Sequence, residues 1–323
     1  MLHAGGKFNM LRLNNVSKIY KVGTFGGKEL HAVTDVNITI DKGEVVSLIG
    51  ESGSGKSTIG KMILHLISIT SGSITFDNED ISTFRGEELK NYYRKVQGVF
   101  QDPYSSYNPI FKADRIFQIV RNEFYPEVDM NTWNRKVDKA LEEVGLNPNH
   151  VLNKYPHQLS GGQLQRFLIA RALLLDIKLL IADEIISMLD ASVRIDVLNL
   201  LAGLKSRGLS VLFITHDLSL ANYISESAVI LYRGFIAEKG STEKIFKTPL
   251  HPYTQMLISS VPRLDQKWDT RISSETQITP TGIPLGCVYY DRCPFAFEKC
   301  KEHPTPIEIE PGHFVACWKV SGS

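Results

Sequence analysis

The hydrophobic positions of this chain gather in short dense runs instead of alternating evenly. EVVSLIG (44–50), KLLIADE (178–184) and SVLFITHD (210–217) each hold an apolar stretch that stops at polar residues, the pattern of strands buried on both faces. Thr58 to Leu66 and Phe167 to Leu175 carry their apolar residues at helical spacing. Buried strands interleaved with helices predict an α/β fold with a mostly parallel sheet. The most apolar region, LIARALLLDIKLLIAD (168–183), is interrupted by Arg171, Asp176 and Lys178, so nothing in the chain reads as a membrane span. No sustained heptad pattern lies between residues 58 and 159, which excludes long coiled-coil arms there.

Composition narrows the class. At 323 residues the chain is long enough for one large α/β domain and a small appendage. Its 36 basic and 35 acidic residues leave a net charge of +1, and no local run of Lys or Arg offers a footprint for nucleic acid. The segment MLHAGGKFNMLRLNN has no apolar core of signal-peptide length, so the expected location is cytosolic, with any membrane reached through partner subunits.

The first strand leads directly into chemistry. Gly50-Glu51-Ser52-Gly53-Ser54-Gly55-Lys56-Ser57, followed by Thr58, fits G-x-x-x-x-G-K-[ST], with a strand before it and a helix after it. Glycines allow such a loop to curl its backbone N–H groups inward onto phosphate oxygens, and the helix start adds partial positive charge. Lys56 is placed to reach the β and γ phosphates, and the Ser57 hydroxyl to ligate Mg²⁺. The second strand ends in Asp183-Glu184: Asp183 is suited to hold Mg²⁺ through water, and Glu184 to deprotonate the attacking water. The third run closes in His216, at the strand end where α/β sheets bind ligands, and reads as a γ-phosphate contact.

Leu159-Ser160-Gly161-Gly162-Gln163 precedes the helical run from Phe167 and offers a second anion cradle of backbone N–H groups, a serine hydroxyl and a helix dipole. One nucleotide has no use for two cradles from one subunit, so the expectation is a head-to-tail dimer in which each Ser160 loop caps the ATP of the other chain.

Gly50–Thr58, Gln101, LSGGQ, LLIADE and His216, in that order, resemble the nucleotide-binding subunit of an ABC transporter over about residues 10 to 260. The resemblance implies a P-loop NTPase core of the RecA-like kind, with a helical subdomain inserted at about 85–165. It also implies that Tyr20 stacks on adenine, that Gln101 senses Mg²⁺ and the γ-phosphate, and that Asp190 closes the site. The surface around Phe100–Tyr107 would receive a coupling helix of the membrane subunits. VFQDPYSSYNP, HPYTQMLISSVP (251–262) and the later Gly286-Cys287 and Arg292-Cys293-Pro294 are similar to the oligopeptide/dipeptide importer ATPases, and more to the second of their two ATPases than the first. The implied domains are 8–262 for the nucleotide-binding domain and 263–323 for a cysteine-containing extension. The implied partners are a second, non-identical ABC ATPase, two permease subunits and an extracytoplasmic substrate-binding protein, with this chain at the cytoplasmic face of the membrane. An oligosaccharide importer is kept as an alternative cargo, and an exporter ATPase as a further one.

The chain departs from that family's usual Asp-Glu-Pro-Thr-Ser-Ala-Leu-Asp. It reads Asp183-Glu184-Ile185-Ile186-Ser187-Met188-Leu189-Asp190, with both acids and Asp190 kept. Two isoleucines favour continued extended backbone, and Met188 is bulky where two subunits would meet. Hydrolysis is expected to be retained and slowed.

All four cysteines, Cys287, Cys293, Cys300 and Cys317, lie in the last forty residues. Their spacing, C-x₅-C-x₆-C-x₁₆-C, is wider than that of a zinc knuckle, while four thiolates make a full ligand set for a cubane cluster. The family resemblance implies a 4Fe-4S iron–sulfur cluster; zinc and free or disulfide-linked thiols are the alternatives. The extension is too short to build much core alone, which favours a metal staple.

Overall fold

The structure, a computed structural model, describes residues 9–22, 27–260 and 285–321. The boundary expected at 262/263, with Val261 and Pro262, lies outside those residues. The strands are β1 (Asn9–Val22), β2 (Lys28–Asp41), β3 (Val45–Ile49), β4 (Ser71–Phe76), β5 (Glu79–Asp80) and β6 (Val96–Val99). They continue with β7 (Leu179–Asp183), β8 (Ser210–Thr215), β9 (Ser227–Tyr232), β10 (Phe235–Ser241), β11 (Ile307–Glu310) and β12 (His313–Val315). The chain forms two compact units, each assembled from separate stretches of sequence.

One unit contains the phosphate loop. Its described residues run over 9–40, 45–82, 214–260 and 285–321. A four-stranded sheet in the order β2-β1-β4-β5 and a five-strand run in the order β11-β12-β10-β9-β3 lie within it. β3 pairs with β9 in parallel, Leu48 opposite Val229 and Ile49 opposite Ile230, and every residue of β3 is buried. That burial explains why the run reads as continuously apolar. β10 then pairs antiparallel with β9 on one side and with β12 on the other, so the cysteine-containing extension continues a sheet that the phosphate-loop strand belongs to.

The second unit covers 41–44 and 83–213. It holds β6, β7 and the first four residues of β8, with β6 and β7 parallel, Val96 opposite Leu179. The helices Gly86–Lys95, Arg115–Phe124, Met130–Glu143 and Gly161–Leu173 surround an aromatic interior. There Phe117 stacks on Phe167 at 4.9 Å between ring centres, and Trp133 is buried. Each helix needs its exposed amides closed: Asp129 accepts the Thr132 N–H at the start of Met130–Glu143.

The helix Pro252–Ser259 shows the same logic in a titratable form. Pro252 sits at its first position, and His251 Nδ1 accepts the Tyr253 N–H at 2.9 Å. Burial lowers the His251 pKa from 6.5 to about 4. The unfolded chain takes up a proton below pH 6.5 that the folded chain refuses until about pH 4. Stability is therefore full above 6.5 and falls as the pH drops toward 4, by up to about 3 kcal/mol. Urea midpoints followed from pH 7 to pH 4 should fall more steeply for the wild type than for His251→Asn, which caps without titrating. Parallel curves would sink the assignment.

Candidate nucleotide site

The phosphate loop bridges β3 and the helix Lys56–Ile63. Gly53 and Gly55 sit at φ 78° and 102°, a region a side chain would strain. A Cβ on Gly50 would lie 2.2 Å from the Leu231 carbonyl oxygen, and one on Gly55 2.4 Å from that of Ala32, so both are glycine because backbone crosses there. The Gly234 N–H donates to the Ser54 carbonyl at 2.9 Å, which ties the loop to the β9–β10 hairpin. Ser52 and Ser57 are exposed, Glu51, Gly55 and Thr58 half-buried, and Ser54 buried.

Lys56 is 4 % exposed, and its Nζ donates to the carbonyls of Gly50 (2.7 Å) and Glu51 (2.8 Å) and to Ser54 Oγ (3.4 Å). These acceptors fix the direction of the Lys56 ammonium inside the loop. Together with the curled backbone and the helix start, this donor set fits an anionic phosphate group. In the same unit His216 is exposed just past the end of β8, where Asp217 caps the next helix through the Ser219 and Leu220 N–H groups. Tyr20 is half-buried on β1, with Lys18 Nζ 5.1 Å from its ring centre.

The second unit carries the other predicted residues. Asp183 ends β7 and is buried, and Glu184 follows at φ 50°. The Glu184 carbonyl accepts both the Ser187 N–H (3.1 Å) and the Ser187 hydroxyl (2.9 Å), which closes a turn. Here the extended backbone expected of Ile185 and Ile186 is corrected: the strand stops at Asp183, the chain turns, and both isoleucines are buried at 1 % and 2 % exposure. Burial of two large apolar side chains outweighs their weak extended preference. Arg194, which sequence reasoning missed, holds this turn through Leu189 and Ser187 carbonyls. Met188 is 62 % exposed and Asp190 is exposed at the start of Ala191–Ser206.

Ser160 caps the helix Gly161–Leu173. Its hydroxyl accepts the Gln163 N–H at 3.2 Å, and Gln163 Oε1 accepts the Ser160 N–H at 2.9 Å, a reciprocal capping box. The Gln163 N–H is thus engaged by the Ser160 hydroxyl within the helix start. Gly162 answers to packing, since a Cβ there would lie 2.7 Å from Val193 Cγ1. Gln101 is exposed, and the segment after it is anchored to the Ser160 region. Tyr104 Oη donates to the Leu159 carbonyl (3.4 Å), and Tyr107 Oη to that of Leu164 (3.3 Å).

The cysteine reading is corrected. Among the described residues, which include Cys287, Cys293, Cys300 and Cys317, no group of three or more His, Cys, Asp or Glu side chains is arranged to hold a metal ion. Neither the 4Fe-4S cluster nor zinc is supported. The thiols behave as small apolar groups: Cys287 and Cys293 pack on the apolar cluster around Tyr232, Tyr253 and Tyr289, while Cys300 and Cys317 are buried. Burial pushes the Cys287 thiol up to about 11, which keeps it protonated. The extension packs on the rest of its unit. β12 pairs with β10, Tyr289 is buried, and Trp318 Nε1 donates to the Glu302 carbonyl.

Comparison with known proteins agrees with this anatomy. Residues 33–187 match the family model described as ABC transporter, and 237–300 that of the oligopeptide/dipeptide transporter C-terminal region. The oligopeptide transport ATP-binding protein AppF of Bacillus subtilis is 40% identical over 97% of this chain and 98% of its own. OppF of Salmonella typhimurium, also named an oligopeptide transport ATP-binding protein, is 37% identical over 91% and 89%. A bacterial ABC transporter cassette solved as a dimer superposes with a TM-score of 0.65 at 30% identity, covering 72% of this chain and 99% of that one. The oligosaccharide alternative finds no support, since the C-terminal match is to the oligopeptide/dipeptide region. Among the described residues no helix is long and apolar enough to cross a membrane. With its P-loop NTPase core, its ATP- and Mg²⁺-dependent ATPase chemistry and its characteristic C-terminal region, the chain belongs to the ABC transporter ATP-binding proteins of the oligopeptide/dipeptide branch.

Proposed function

We propose that this chain is the energy-coupling ATPase of an importer for oligopeptides or dipeptides. The observation that carries the reading is full-length similarity to oligopeptide transport ATP-binding proteins together with the C-terminal region at 237–300. In this reading the loop Gly50–Thr58 wraps the phosphates, with Lys56 on the β and γ phosphates and Ser57, Asp183 and Gln101 serving Mg²⁺. Glu184 takes the proton of the attacking water, His216 contacts the γ-phosphate, and Tyr20 stacks on adenine. Ser160, Gly161, Gly162, Gln163 and Asp190 meet the nucleotide of a facing ATPase subunit. The exposed Met188 supports such a face, and a non-identical partner is the reading favoured here. Two permease subunits dock near Phe100–Tyr107, which places the chain at the cytoplasmic side of the membrane, and a substrate-binding protein delivers the cargo.

ATPase stimulation of the assembled transporter tests the cargo. The binding protein loaded with short peptides is expected to raise phosphate release several-fold over the unloaded protein. Stimulation by sugar-loaded but not peptide-loaded binding protein would overturn the peptide assignment.

A further inference from the structure

Arg292 belongs to the Arg-Cys-Pro element of the extension, yet nothing in the ATPase chemistry above uses it. Its guanidinium forms a two-pronged ion pair with Glu51 of the phosphate loop, Nη1 to Oε2 at 2.8 Å and Nη2 to Oε1 at 3.1 Å. Nη1 also donates to the Tyr232 hydroxyl at 3.3 Å, and the guanidinium carbon lies 5.6 Å from the ring centres of both Tyr232 and Tyr289. These residues all lie in one compact unit. The arginine side chain is 21% exposed and that of Glu51 40%, so the pair is only partly shielded from solvent.

Its base is rigid. Arg292 closes the short turn Tyr290–Arg292, and its N–H donates to the Tyr289 carbonyl at 3.1 Å. Tyr289 is 3 % exposed, edge-on to Tyr232 at 5.2 Å and 5.4 Å from Tyr253. A planar guanidinium held this way loses little further freedom on pairing with a carboxylate, and forked pairs of this type are the stronger ones.

All three polar groups of Glu51 are thereby engaged. Its carboxylate meets Arg292, its N–H donates to the Tyr253 hydroxyl at 3.1 Å, and its carbonyl accepts Lys56 Nζ at 2.8 Å. Glu51 follows Gly50 in a loop whose glycines make it conformationally permissive, and a loop of that kind loses entropy when it orders around phosphate. A carboxylate beside a phosphate cradle also repels the anion it must admit, unless a cation neutralises it.

We propose that Arg292 is a positioning residue for nucleotide binding: from the C-terminal extension it neutralises Glu51 and holds the phosphate loop, and with it Lys56, in the shape that receives nucleotide phosphates. The extension is then part of the ATP site's framework, whatever cargo the transporter moves.

The test uses the full chain, with a fluorescent ADP analogue and Mg²⁺ as probe. Arg292→Ala should weaken binding about five- to ten-fold with the thermal midpoint little changed, and Arg292→Lys should fall between that variant and the wild type. In the double variant Glu51→Gln/Arg292→Ala, most of the loss should return, since the uncompensated carboxylate is gone. The gap between wild type and Arg292→Ala should also narrow at high salt, as screening weakens the repulsion between Glu51 and the phosphates. Binding by Arg292→Ala within two-fold of the wild type would overturn the proposal. So would a double variant no better than the single one, or a loss that simply follows a fall in thermal midpoint.

Discussion

Replacing Glu184 with glutamine is expected to cut ATP hydrolysis at this chain's site by at least ~100-fold while leaving nucleotide binding in place. The magnitude follows from the role proposed for it: a positioned general base contributes about two to four orders of magnitude to a hydrolytic rate, and glutamine keeps the shape while losing the basicity. Nothing about the fold around it should change. Glu184 turns out of β7 at φ 50°, and what fixes the turn is its carbonyl, which accepts two hydrogen bonds from Ser187. A left-handed backbone at a non-glycine residue costs about 1 kcal/mol or more and persists where its surroundings dictate it, here the buried Ile185 and Ile186 and the Arg194 contacts. The measurement is phosphate release by the assembled transporter with the partner ATPase's own site already inactivated. An unchanged rate would mean that this chain's site does not hydrolyse, and the unusual Ile185-Ile186-Ser187-Met188 would then mark a degenerate site.

The second large effect concerns stability. Glu238 is fully buried and His313 is 2 % exposed, and the two meet at 2.7 Å between Oε1 and Nε2. Glu238 also accepts the Leu250 N–H (3.0 Å) and the His251 N–H (2.9 Å). One carboxylate therefore joins β10, the entrance to the helix Pro252–Ser259 and β12 of the extension. Removing the His313 ring takes one hydrogen-bond partner from a buried carboxyl group that keeps its two backbone donors, which costs about 1.5–3 kcal/mol. His313→Ala should thus lower the unfolding free energy of the full chain by about 2 kcal/mol, read as a shift of the urea midpoint at pH 7. The exposed His150→Ala serves as control and should shift it little. A loss below about 0.5 kcal/mol for His313→Ala would show that the pair contributes nothing to folding.

The sequence made some of this plain and hid the rest, for reasons that separate cleanly. β3, β7 and β8 were legible because parallel strands buried on both faces must be apolar throughout, and their polar ends mark where chemistry begins. The phosphate loop was legible because its glycines answer to backbone geometry at fixed spacing. What the sequence could not display were pairings between distant residues. Arg292 and Glu51 are 241 positions apart, and His313 and Glu238 are 75. The cysteines misled because a thiol's role depends on what surrounds it; four thiols and the family resemblance suggested ligands, whereas Cys287 and Cys293 fill space against the apolar cluster around Tyr289. Ile185 and Ile186 misled for a related reason, since local preference yields to burial when the two conflict.

The extension also settles how the sheet ends. Without β11 and β12, the backbone groups of β10 on that side would form an open edge able to pair with another chain. β12 covers the middle of that edge at Glu238 and Lys239, and the exposure there passes to β11, a strand of four residues reading Ile-Glu-Ile-Glu. Glu308 and Glu310 are exposed there, Glu310 paired with Lys244 at 2.7 Å. Short length and acidic side chains make a poor template for further strand addition, so the segment that braces the nucleotide loop also acts as a gatekeeper against self-association.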